Sequence, residues 1–290
     1  MATSFSKNEL KYARKKFYGR FHSYDNSSIF QKIINFTLTR IYKARFTLLN
    51  LKRKILRAIK VTFLKKHYAH KDIQFKINLE KDKIQNISEE LKANNCVFVE
   101  NFLSKENHEF LINSWPCINH FNHNKKITAH YNSSFSHIDA TSSIEKVFDK
   151  YPKNFGLRKF YEFLYSYEFA EFFNRLLKFE NRNFKLWAIS STMASNNSYL
   201  APHKDGIAND KKIEHPYNFI YFLDGYEKNL SSCGATGIYK DNEFKFPILV
   251  PNTIKNSLLI YNQSDDFYHG FQTIKCPKDI FRKTINFQIK

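Results

Sequence analysis

The sequence predicts an α+β fold: a double-stranded β-helix, the jelly-roll barrel, buttressed by helices and preceded by a basic helical N-terminal extension. Three observations predict it. Short apolar stretches bounded by turn signals crowd the C-terminal half, behind a helical front half. An aromatic stripe between Lys159 and Phe179 recurs at helical spacing. The positive charge is concentrated at the N-terminus instead of being shared along the chain.

The extension comes first. Residues 1–66 carry 17 Lys or Arg against Glu9 and Asp25, a balance of +15 out of a total of +19, which leaves +4 for residues 67–290. Ile29, Phe30, Ile33, Ile34 and Ile41, then Leu48, Leu51, Ile55 and Ile59, recur mostly at three- and four-residue steps, with Lys52, Arg53, Arg57 and Lys60 between the later ones. That is the pattern of amphipathic helices. Three readings fit: a helix lying on an anionic membrane surface, a segment neutralising nucleic-acid phosphates, or a helical extension docked on the body with its charges solvated. The longest uncharged stretch between residues 27 and 70, Ile33 to Thr39, is far short of the roughly 20 residues that span a bilayer. No apolar core of a signal peptide precedes it. The four cysteines (Cys96, Cys117, Cys233, Cys276) are irregularly spaced, which argues against a disulfide framework or structural zinc and for a cytoplasmic protein, peripheral at the membrane if the first reading holds.

The remaining elements follow in order. Residues 67–86 are polar and mixed in charge and read as a linker, so the globular domain is expected over 87–290. Ile87 to Lys92 reads as a short helix opened by Ser88, Cys96 to Phe102 as a strand, and Ser104 as the cap of a second helix running towards Trp115. Residues 117–156, with His120, His123, His130 and His137, read as a loop region over the barrel mouth. Lys159 to Phe179 reads as one packing helix. Phe184 to Met193 is an expected strand, followed by a turn at Asn196-Asn197.

The chemistry concentrates in Pro202-His203-Lys204-Asp205-Gly206. On an extended strand His203 and Asp205 point to one face, and His269, within Tyr268-His269-Gly270, can complete a set of three. Two imidazoles and one carboxylate with open positions form the facial triad of non-haem Fe(II) sites. Arg282 lies 13 residues after His269, in an alternating strand that puts Arg282 and Thr284 on one face and Phe281, Ile285, Phe287 and Ile289 on the other. An Arg fork with a hydroxyl two residues on suits the carboxylate of a dicarboxylic co-substrate. Each residue also has a plain structural reading: His203 as a solvated loop histidine, Asp205 as a turn former, His269 as a rim side chain, Arg282 as an ion-paired arginine. Their joint spacing favours the metal reading.

With these residues the chain resembles the 2-oxoglutarate/Fe(II)-dependent oxygenases, in their prolyl-4-hydroxylase-like branch, over roughly residues 90–290. Asn218 to Asp224 looks like the family's strand after the first histidine, and Pro251 to Tyr261 like the strand leading to the second. Three positions depart from the pattern. Cys233 and Ala235 replace the glycine and glutamate of a Gly-Gly-Glu-Thr turn, and Phe222 stands where a co-substrate-binding tyrosine is common; Tyr199 is the substitute hydroxyl proposed from sequence. The resemblance implies Fe(II) held by His203, Asp205 and His269, with 2-oxoglutarate anchored by Arg282 and Thr284. It also implies O2 as oxidant, ascorbate as an accessory reductant, and hydroxylation of a substrate C–H bond with release of succinate and CO2. The substrate, whether a protein side chain, a surface sugar or a small metabolite, is not coded in the loops. Two rivals stand beside it: a non-catalytic jelly-roll binding module attached through its basic arm, and a nucleic-acid demethylase. Gln288 counts against the second, because those enzymes usually carry a second arginine there.

Overall fold

The computed structural model describes residues 73–116, 121–124, 131–132, 135–140, 155–178, 186–204, 217–229, 232–262 and 267–289, together with Leu48 and Leu51. The helical extension expected over residues 1–66 lies outside the described residues except for these two leucines, which are helical and exposed.

The helices are α1 (Lys81–Asn94), α2 (Lys105–Asn113), α3 (Gly156–Leu164) and α4 (Tyr167–Leu177). The strands are β1 (Cys96–Val99), β2 (Asn122–Asn124), β3 (Tyr131–Asn132), β4 (Phe135–Ala140), β5 (Leu186–Ala194), β6 (Tyr199–His203) and β7 (Tyr217–Asp224), followed by β8 (Gly237–Tyr239), β9 (Pro247–Leu249), β10 (Ser257–Asn262), β11 (Tyr268–Phe271) and β12 (Arg282–Ile289). They form a seven-stranded sheet in the order β1-β10-β7-β12-β5-β4-β2 and a five-stranded sheet in the order β3-β6-β11-β8-β9, with antiparallel pairings throughout. The sequence-predicted jelly-roll is therefore present as two antiparallel sheets; among the described residues no ladder joins them into a closed barrel.

Strand alternation separates two cores. Outward residues of the large sheet (Val97, Val99, Phe219, Tyr221, Leu223, Leu258, Ile260, Ile285, Phe287, Ile289) pack with the helices in one cluster. Inward residues (Cys96, Ile220, Phe222, Leu259, Tyr261) pack with Cys233, Ala235 and Ile238 in a second cluster, which draws on both sheets. Asn256, in a left-handed conformation (φ 46°), ties the layers together: its Oδ1 accepts from Leu103 N and Tyr221 OH at 3.0 Å each, and its Nδ2 donates to Leu103 O at 2.8 Å.

Four sequence expectations need correction. Residues 73–86 are not a linker in their described part: Ile73 and Phe75 are buried, Ile77 bridges Leu103, and α1 begins at Lys81. That helix starts without a side-chain cap, and Ser88 lies buried within it; Ile84, Ile87 and Leu91 at three- and four-residue steps hold it to the body. The aromatic stripe forms two helices, because the Ser166 side chain accepts from Phe169 N and opens α4 one turn after α3 ends. The 117–156 segment supplies strands β2, β3 and β4 in addition to loops, with His137 opposite Thr192 in the large sheet. The capped helix at Ser104 and the turn at Asn196-Asn197, where Asn197 has φ 65°, are as expected.

Candidate functional site

β6 and β11 are neighbours, and their register sets His203 directly opposite His269. The two imidazole centroids are 4.3 Å apart with their planes inclined by 49°. Two imidazoles bound cis to one divalent first-row ion, at about 2.1 Å from nitrogen to metal, place their ring centres about 4.6 Å apart; the observed spacing fits a shared ion. His203 Nδ1 donates to Ala201 O at 2.9 Å, because a carbonyl only accepts, and this puts the lone pair on Nε2. His269 is buried beneath the Tyr261 ring, 5.3 Å between centroids. Gly270 makes the approach possible: a Cβ there would meet Leu200 O at 2.6 Å and Pro202 N at 2.8 Å. The third expected ligand, Asp205, lies outside the described residues, which also hold no cluster of three metal-ligating groups.

A cavity of about 280 Å³ opens beside the histidines and is lined by His203, His269, Arg282, Thr236, Tyr261 and several polar residues of the large sheet. Arg282 is buried, 3% exposed, and pairs with no carboxylate among the described residues. One Nη2 hydrogen goes to Thr236 Oγ1 at 2.7 Å, while Nε has no partner. Its guanidinium carbon lies 4.4 Å from the Phe271 ring centroid and 5.4 Å from that of Phe222, which holds it by cation–π contact. Burial pulls its pKa down from 12.5 to about 9, only partly opposed by Cys233. Burial also raises the Cys233 thiol, so Cys233 stays neutral and is no counter-charge. A buried guanidinium without an anion is costly, and its arrangement suits an incoming carboxylate.

The other two sequence-predicted co-substrate residues sit differently. Thr284 shares Arg282's face but spends its hydroxyl on Thr192, Oγ1 to Oγ1 at 2.6 Å, and it does not line the cavity. Tyr199 is buried on β6 and likewise lies outside the cavity lining. Two residues not singled out from sequence take those places: Thr236 is the hydroxyl against Arg282, and Tyr261 is the tyrosine beside the histidines. Both lay within stretches already matched to the family, at the Gly234-Ala235-Thr236 turn and at the end of the strand before His269. Cys96, Cys233 and Cys276 are free thiols, and among the described residues no helix is long and apolar enough to cross a membrane.

No protein-family model and no curated protein matches the chain. Solved structures do. A non-haem α-ketoglutarate-dependent epimerase, SnoN from nogalamycin biosynthesis, superposes with a TM-score of 0.53 at 10% identity, over 73% of this chain and 83% of that one. A prolyl hydroxylase from Trichoplax adhaerens, solved with a hypoxia-inducible-factor peptide fragment, gives 0.50 at 12% identity, over 72% and 90%. The fold is that of the 2-oxoglutarate/Fe(II) oxygenases. The fold of this chain matches that of the prolyl hydroxylase as well as that of the epimerase.

Proposed function

We propose that this protein is an Fe(II)- and 2-oxoglutarate-dependent dioxygenase that hydroxylates a C–H bond of its substrate. The observation that carries the reading is the buried Arg282, which pairs with no carboxylate among the described residues and shares one cavity with two facing imidazoles. His203 and His269, with Asp205 two residues further on, would hold the metal. Arg282 and Thr236 would receive the distal carboxylate of 2-oxoglutarate, and Phe222 and Phe271 would exclude water from that pair. Fe(II), 2-oxoglutarate and O2, bound together, supply the oxidising power and leave succinate and CO2 beside the hydroxylated product. The chain's own work is positioning: Ala201 fixes the tautomer of His203, and the aromatic walls fix the guanidinium.

The test is metal and co-substrate binding by the full chain. The wild type should bind one Mn(II) or Fe(II) and gain thermal stability on adding 2-oxoglutarate with metal. His269→Ala should lose the metal, and with it the stabilisation. A wild-type protein that binds neither would leave the non-catalytic binding module as the reading.

A further inference from the structure

The cavity extends past the reach of a diacid held on Arg282. Inward residues of β12 follow one another at about 6.6 Å, so Gln288 lies about 20 Å along the strand from Arg282. An extended five-carbon diacid spans only about 5 Å between its end carbons, given about 1.5 Å per C–C bond. Register places Ser190 beside Asn286, and Gln288 beside Asn218, with Tyr261 next across β10. All five line the cavity, and apart from Arg282 and the two histidines no lining residue among the described residues is ionisable to a fixed charge. Two polar atoms here are incomplete: Asn218 Nδ2, on a side chain 4% exposed, and Asn286 Oδ1 are buried with no hydrogen-bond partner. Each such orphan carries an uncompensated desolvation cost, which a matching ligand group recovers.

We propose that Ser190, Asn218, Asn286 and Gln288, with the Tyr261 ring, form a substrate subsite whose occupant is an uncharged sugar ring. The word substrate rests on the oxygenase reading above. One orphan donates and the other accepts, and a sugar's hydroxyls do both. A charged substrate would meet no counter-charge at this end and would lose its hydration. A peptide main chain is read by unpaired strand edges, whereas β5, β12 and β7 are interior strands with ladders on both sides, leaving only side chains to make contacts. The cavity is at the small end of ligand pockets, about 300–1,000 Å³, so beside a diacid it leaves room for no more than one ring.

The experiment uses the full chain with Mn(II) and 2-oxoglutarate, and saturation-transfer NMR with the methyl glycosides of glucose, galactose and mannose. N-acetylprolinamide and glucose 6-phosphate are the contrasting probes. At least one glycoside should bind in preference to both, and Asn218→Leu and Gln288→Leu should each weaken it about tenfold. Gln288 is only half-buried, so its replacement keeps the fold even if Asn218→Leu does not. Three results would overturn the subsite: no glycoside binding, stronger binding of the prolinamide or the phosphate, or glycoside affinity unchanged in the folded variants. Thermal shift with 2-oxoglutarate in the same samples separates the two readings. Diacid bound without glycoside sinks the subsite alone; glycoside bound without diacid keeps the subsite and sinks the oxygenase.

Discussion

The two faces of the seven-stranded sheet share the same strands and differ in almost everything else. Outward, Phe219 stacks on Phe287 with ring centroids 4.8 Å apart and planes within 9°, and Phe169 of α4 meets both. Inward, the alternate residues of β12 are Arg282, Thr284, Asn286 and Gln288. One face is packed almost wholly with apolar side chains; the other mixes an apolar cluster with buried polar groups, of which Asn218, Arg282 and Asn286 each have an atom without a partner among the described residues. The difference teaches that most of the apolar burial lies on the helix side, while the inner face carries an uncompensated polar cost.

Substitutions that cross this division should separate cleanly. Phe219→Ala should have the largest effect, about 3–5 kcal/mol lost in chemical denaturation, because it removes a buried ring from the stacked pair. Arg282→Leu should behave in the opposite sense: folding stability holds or rises, since a desolvated charge is removed, while 2-oxoglutarate affinity by calorimetry falls on the order of 100-fold. Thr236→Val should weaken 2-oxoglutarate about tenfold or less, whereas Thr284→Val should cost about 1 kcal/mol of stability and leave that affinity alone, because its hydroxyl serves Thr192. Equal effects of the two threonine variants on affinity would blur the comparison. The smallest effect is in pH. Arg282 titrates at about 9 without a ligand, and a bound carboxylate raises it, so binding above that pH takes up a proton. Affinity should therefore fall as pH rises through about 9 and stay flat, as far as Arg282 is concerned, between 7 and 8.

The facing histidine pair and the buried arginine were legible because local signals mark them: His203 within a strand-end motif, His269 within a Tyr-His-Gly turn, Arg282 in a period-two stretch. The alternation of β12 was likewise readable, and its faces are as the sequence divides them. Thr236 and Tyr261 were not, because their roles come from which strands lie side by side. Tyr261 reaches the histidines only through the packing of β10 against the small sheet, and Thr236 meets Arg282 across 46 residues of chain. β2 and β4 hid behind largely polar sequences because backbone ladders bind them, β4 between β5 and the edge strand β2. The first half of α1, before Ile87, hid because its start has no capping side chain. The break between α3 and α4 depended on one serine that a continuous apolar stripe conceals.

Gly270 has a wider consequence. Its missing side chain lets two strands touch backbone to backbone, and the gap between the imidazoles is whatever that clearance permits. A methyl group there would push the two strands, and with them the imidazoles, apart without replacing any donor residue. If the pair holds iron as proposed, its affinity would be adjustable by a residue that is not itself a ligand.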